Sequence, residues 1–369
     1  MKKDSHLQNN IGIALLASVI LLVGIGLGFL YSASQPASLK YFNNQFYYLI
    51  KQGIFFIIGI FFFMAGFFIK IEFYKKNIKF IVVITLILLI VTLIPGISKE
   101  VAGGRRWLNL VIFQFQPSEI AKLVVIFYLS FVLANKKEFI EDFYKGILPP
   151  LLLVGFISFL ILAENDFSTT FLVLVTSMTI FFLAGIRLLT FFMLIGVGGI
   201  AGVLMIFLAQ YRITRFFAFL NPWEDPLGSG WQYIQSMKCF SLGKFFGKGI
   251  GESAQKSFAL PEAQNDYIFA IIGEEGGAFF AIVVVLLFTA FAFIGLNIAK
   301  RSKDKTHFLL ASGIASLVFI QAMVNIGVVI GILPSTGITL PFISAGGTSL
   351  VIFMFACGVL FNIAHKEAG

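Results

Sequence analysis

Asp266 closes the polar run Leu260-Pro261-Glu262-Ala263-Gln264-Asn265-Asp266, after which the chain turns apolar. A carboxylate at such a boundary can take a proton from a substrate hydroxyl, or it can cap the helix that follows. Glu119 and Lys122 make a second candidate. Three apart on a helix, they share a face and can pair. Ionised groups within an apolar run mark a functional site, the alternative being a buried pair that only fixes helix packing. The third candidate is a concentration of cations, Arg212, Arg215, Lys238, Lys244, Lys248 and Lys256, in the segment from Gln210 to Asn265. Such a group is either a solvated face or an anion site built on charge-assisted hydrogen bonds. Glu274 and Glu275 lie deeper, within the apolar run that follows Asp266, where a carboxylate needs a partner, a cavity or a proton.

The elements that must hold these residues are membrane helices. Of 369 residues, 59% are hydrophobic and 12% charged, outside the range of water-soluble domains. Apolar runs long enough to cross a hydrocarbon core of roughly 30 Å as helices occur at 11–31, 48–69, 79–97, 118–135, 146–163, 167–186, 188–209, 267–298, 307–331 and 343–364. They are continuous rather than alternating, which excludes barrel strands as the spanning element. The 46 phenylalanines are read as lipid-facing and interhelical bulk. The fold class expected is all-α, a polytopic membrane protein in which residues 1–369 form one integral domain and 210–265 form a large extracytoplasmic loop between helices 7 and 8.

With alternating spans, Lys2, Lys3, Lys70, Lys75, Lys76, Lys79, Lys136, Lys137, Lys145, Arg187, Lys300, Arg301, Lys303, Lys305 and Lys366 fall on one side, which the positive-inside tendency makes cytoplasmic. Both termini are expected there, with the site on the outer face of a bacterial cytoplasmic membrane. The first apolar run is read as a retained helix rather than a cleaved signal. This bias accounts for most of the net charge of +9, so no nucleic-acid partner is inferred. Cys239 and Cys357 are expected at different depths, without a disulfide, and the three histidines are too scattered for a zinc site.

Two connecting segments depart from simple membrane packing. In the first, Gly103-Gly104-Arg105-Arg106-Trp107-Leu108 leads through Leu110, Phe113 and Phe115 to Gln116-Pro117-Ser118-Glu119; its aromatic residues suit the headgroup level, and Pro117 and Ser118 suit a helix start. In the second, Leu333 to Ser349, Pro and Gly break the helix while hydroxyls accumulate. Irregular backbone at membrane depth is tolerated where it lines a cavity or is buried in protein. No inverted internal repeat of the transporter kind is visible.

Taken together, these motifs resemble the shape, elongation, division and sporulation (SEDS) family of bacterial membrane proteins over nearly the full length. The matching stretches are Arg106-Trp107, Gln116-Pro117-Ser118-Glu119-Ile120-Ala121-Lys122, Asn221-Pro222-Trp223-Glu224-Asp225-Pro226, Gly230-Trp231-Gln232, Phe246-Gly247-Lys248-Gly249, Leu260 to Glu275 and Leu333 to Ser349. Gly251 to Lys256, Leu260 to Ala263 and Gly337 to Pro341 favour the cell-division branch over the elongation branch. Gln264-Asn265, Glu164 to Ser168, Gln114 and Ala345 depart from the common pattern. The resemblance implies peptidoglycan glycosyltransferase activity on lipid II, an undecaprenyl-pyrophosphoryl disaccharide-pentapeptide. It also implies a class B penicillin-binding protein (a transpeptidase) and other division-machinery membrane proteins as partners. Asp266 is then the expected general base, with Arg106, Glu119, Lys122, Asp166, Arg212, Arg215, Lys248 and Lys256 as expected substrate-binding residues. A pyrophosphate leaving group departs without protonation if basic side chains or a divalent cation, Mg²⁺ or Mn²⁺, neutralise it. The competing readings are a lipid II flippase and an elongation-type polymerase.

Overall fold

The computed structural model describes residues 2–101, 104–110, 113–135, 142–258 and 260–366; Gly103, Lys136 and Lys137 of the motifs above lie outside them. Ten helices among the described residues are long and apolar enough to cross a membrane. They are α1 (Lys2–Phe42), α2 (Tyr47–Phe68), α3 (Ile71–Leu93), α4 (Pro117–Asn135), α5 (Leu148–Ala163), α6 (Phe167–Ala184), α7 (Leu188–Phe207), α12 (Gly277–Arg301), α13 (Lys305–Val329) and α14 (Gly347–Lys366). Between α7 and α12 lie four shorter helices, α8 (Gln210–Leu220), α9 (Trp231–Gly243), α10 (Gln255–Phe258) and α11 (Ile268–Glu275). The most buried spans are α4, α13 and α14, while α7 buries none of its apolar window. Helix α14 lies closest against α2, where a Cβ added to Gly358 would stand 2.1 Å from the Phe63 carbonyl oxygen. Small residues at a membrane-helix crossing permit this approach of backbones.

Three of the expected boundaries are corrected. The first helix does not stop at 31 but runs to Phe42, because Ser32, Ser34 and Ser38 lie buried in the bundle and their polarity is no signal of a surface loop. The third begins at Ile71 rather than 79; Lys75, Lys76 and Lys79 belong to its early turns, where long basic side chains reach back to the interface. The eighth span begins at Gly277, not 267. Gly276 and Gly277 break the apolar run, Gly277 adopting a left-handed φ of 71°. Into that break the chain after α9 inserts its backbone: the Lys248 and Gly249 N–H groups donate to the Glu274 and Glu275 carbonyls at 3.0 Å, and the Ala278 N–H donates to the Lys244 carbonyl at 2.9 Å. The orphan groups of two helix ends are thereby satisfied.

Ala in place of Gly277 would meet both a strained φ and Gly247 N at 2.3 Å. Gly277→Ala is expected to destabilise the fold by about 1–3 kcal/mol from the backbone conformation alone. A lowered thermal midpoint in detergent is the readout, and an unchanged midpoint would show that the break tolerates a side chain.

The connection from α3 to α4 forms a three-stranded antiparallel sheet, β1 (Ser98–Val101), β2 (Gly104–Leu110) and β3 (Phe113–Phe115), in the order β1-β2-β3. Leu108 pairs with both Ser98 and Phe115. The sheet is a minor addition to an otherwise all-α fold. It places Arg106 and Trp107 at the end of the bundle where α4 and α6 begin.

Candidate active site

A cavity of about 460 Å³ opens at that end. Its walls come from α2 (Tyr48, Lys51, Gln52), β2 (Arg106, Trp107), the first turns of α4 and α6 (Glu119, Lys122, Asp166, Thr169), and the irregular segment before α14 (Gly337, Ile338, Thr339 and Ala345 to Gly347). Lys122 Nζ donates to Glu119 Oε1 at 2.8 Å and to Gln321 Oε1 at 2.7 Å, and stands over the Phe353 ring at 5.4 Å. Gln321 in turn donates to the Thr339 carbonyl at 3.0 Å. One turn further along α13, Asn325 Nδ2 donates to the carbonyls of Asp266 and Ile338, each at 2.7 Å. One face of α13 thus ties the Glu119–Lys122 pair to the backbone of Asp266.

Asp266 adjoins this cavity between Asn265, which lines it, and the buried Tyr267. Its Oδ2 stands 3.9 Å from the position of a Cβ on the wall residue Gly337. It does not cap a helix: Tyr267 is the N-cap of α11, and no side-chain cap bond forms there. Burial pushes its pKa up to about 6, with the neighbouring Glu262 carboxylate adding to the rise and its own backbone N–H and the Arg215 charge opposing it. A carboxylate poised there is ionised at neutral pH and a stronger base than an ordinary aspartate. Asp166 caps α6, accepting from the Thr169 N–H at 3.0 Å and its hydroxyl at 2.8 Å, and Gln116 Nε2 reaches it at 3.3 Å.

Arg106 borders a second, smaller pocket of about 80 Å³, whose other side carries Arg212 and Arg215 of α8. Arg212 is held by Tyr211 Oη at 2.9 Å and the Met205 carbonyl at 2.8 Å. Lys248 and Lys256 stand elsewhere. Lys248 Nζ pairs with Glu274 at 3.1 Å and Lys256 Nζ with Glu275 at 3.0 Å. Ser253 and Ser32 donate hydroxyls to the same two carboxylates, so this buried network secures the break between α11 and α12. The structure therefore gathers Arg106, Glu119, Lys122 and Asp166 in the large cavity, Asp266 against its wall, and Arg212 and Arg215 beside Arg106.

Residues 13–369 match the family model for FtsW, RodA and SpoVE, described as cell cycle proteins. The chain belongs to this family. Among its FtsW/RodA/SpoVE relatives, Stage V sporulation protein E of Bacillus subtilis (strain 168) is 40% identical over 348 residues, 94% of each chain. A "Probable peptidoglycan glycosyltransferase FtsW" of Legionella pneumophila is 38% identical over 356 residues, 96% of this chain and 90% of that one. A chain solved in work titled "Structural coordination of polymerization and crosslinking by a peptidoglycan synthase complex" superposes with a TM-score of 0.77 at 25% identity, covering 96% of this chain and 97% of that one. The Thermus thermophilus rod shape determining protein RodA shares the fold with a TM-score of 0.70 at 23% identity, covering 96% of each chain. The SEDS resemblance read from the motifs, FtsW-like in character, accordingly holds.

This family member's cavity is also lined, and its wall residues held from behind, by residues that its motifs did not single out. Lys51 and Gln52 lie in the first turns of α2; a lysine at the edge of an apolar run, on the side poor in basic residues, was the available signal. Gln321 and Asn325, four apart within the apolar α13, are buried and share a face, and that spacing was likewise legible. Among the described residues no three His, Cys, Asp or Glu side chains converge on a metal site.

Proposed function

We propose that this chain is a peptidoglycan glycosyltransferase that polymerises lipid II on the outer face of the bacterial cytoplasmic membrane during cell division. The observation that carries the reading is Asp266, a carboxylate with a raised pKa against the wall of a cavity that presents Arg106 and Lys122. The names borne by the FtsW relatives support the same chemistry.

In the proposed reaction a sugar hydroxyl of one lipid-linked saccharide attacks the anomeric carbon of another. The new C–O bond forms as the bond to the diphosphate oxygen breaks, the electron pair leaves with undecaprenyl pyrophosphate, and Asp266 receives the hydroxyl proton. One displacement inverts the anomeric centre, turning an α-linked donor into a β-linked glycan. The leaving group departs as an anion, so it needs cations rather than a second acid, unlike the alkoxide of a glycosidase. Guanidinium and ammonium groups drawn from Arg106, Lys122, Arg212 and Arg215 supply them. Lys248 and Lys256, engaged with Glu274 and Glu275, secure the far end of α11, the helix that follows Asp266. A class B penicillin-binding protein is the proposed partner, a reading supported by the similarity to a chain from a polymerising and crosslinking complex.

The test is polymerisation of lipid II by the purified full chain in detergent with Mg²⁺ or Mn²⁺, alone and with a class B penicillin-binding protein. Glycan polymer is expected. Absence of polymer in every combination, with precursor moved across vesicles by the same protein, would replace this reading with that of a flippase.

A further inference from the structure

Glycan transfer between two lipid-linked saccharides brings two diphosphates to one protein at once, a requirement that rests on the function proposed above. Two such anions in a single cavity repel each other, and the repulsion grows as water is excluded. The structure offers cations in two separate places. One is the 460 Å³ cavity with Lys51 and Lys122; the other is the 80 Å³ pocket with Arg212 and Arg215. Arg106 lines both. The partition between them is two stretches of chain: at the start of α6, Asn165, Phe167 and Ser168 face the small pocket and Asp166 and Thr169 the large one, and before α14, Thr336 faces the small pocket and Gly337 the large one.

Asp266 stands at that partition, with Oδ2 3.9 Å from the Gly337 Cβ position and near enough for the Arg215 charge to act on it. Arg212 and Arg215 form no ion pair with any acidic side chain among the described residues. Arg212 leans instead on the Phe167 and Tyr211 rings at 5.5 and 5.3 Å, and Arg215 on Tyr211 at 5.8 Å. Two guanidinium groups spread over aromatic faces, neither closed into an ion pair, are suited to the planar, multidentate recognition of phosphate.

We infer that the pocket formed by Arg106, Arg212 and Arg215 is a second diphosphate site, occupied together with the Lys122 cavity, so that two lipid diphosphates flank Asp266 during transfer. The arrangement separates like charges while leaving the carboxylate access to the sugar that lies between them.

Farnesyl diphosphate, a short polyprenyl diphosphate, is the probe. Native mass spectrometry of the full chain in detergent counts the bound molecules that excess inorganic pyrophosphate displaces. The wild type is expected to hold two and the Arg212→Gln/Arg215→Gln double variant one, the molecule it retains showing that its fold survives. One displaceable molecule on the wild type would overturn the second site while leaving the proposed function standing. Two retained by the double Gln variant would overturn it as well. No displaceable molecule on any protein would sink both this inference and the diphosphate chemistry beneath it.

Discussion

Asp266→Asn protein is expected to form polymer from lipid II at a rate lower by about 10²–10⁴-fold, the range that a positioned general base contributes, while folding normally. The amide keeps the shape of the carboxylate and cannot accept a proton. The fold does not lean on the side-chain charge, because Tyr267 and not Asp266 occupies the cap position and Asn325 binds the Asp266 backbone carbonyl. The pH profile carries the same argument. With its pKa raised to about 6 by burial and by Glu262, Asp266 is ionised and competent above that pH and protonated below it. The wild-type rate should therefore fall about tenfold per pH unit as acidity increases past that value. Glu262→Gln removes one of the two causes of the rise, so its acid limb should move to lower pH. Undiminished polymer from the Asp266→Asn protein would remove Asp266 from the chemistry, whereas an acid limb that ignores Glu262 would leave burial as the cause of the rise.

How much of this was legible beforehand depended on whether a contact was local. The Glu119–Lys122 pair was visible because three residues along a helix fix two side chains on one face, and the structure closes them to 2.8 Å. The segment from Leu333 to Ser349 was legible as either cavity wall or backbone buried in protein, because broken backbone inside a membrane protein must border something other than lipid, and the structure puts Gly337 to Thr339 and Ala345 to Gly347 on the cavity. Lys248 and Lys256 were not legible. Their partners lie 26 and 19 residues away on a helix that the apolar run had merged with α12, and only the tertiary fold shows those cations committed to Glu274 and Glu275. The same merging misplaced the start of the eighth span, since hydropathy averages over a two-glycine break. Arg106 was identified as a residue type, but its position between two pockets follows from the pairing of β2 with strands on both sides, in which alternation along seven residues is a weak signal beside ten apolar helices.

The Glu119–Lys122 pair separates packing from function most sharply. Both side chains are almost wholly buried, Glu119 Oε2 has no hydrogen-bond partner, and Lys122 also binds Gln321 at 2.7 Å. Removing one partner strands a charge in a site that water reaches poorly, and Lys122→Met or Glu119→Gln alone is expected to cost about 3–5 kcal/mol of stability. The double variant leaves no stranded charge, and replacement of a buried pair by uncharged groups is often neutral or better. Its thermal midpoint should therefore return most of the way to that of the wild type. Activity should not follow. If Lys122 neutralises a diphosphate in the cavity, every protein that lacks it remains defective in polymerisation even when its fold has recovered, and binding of the lipid diphosphate weakens with it. Should the double variant regain polymerisation in step with stability, Lys122 would be a packing element only, and the cavity's anion site would have to be built from Arg106 and Lys51.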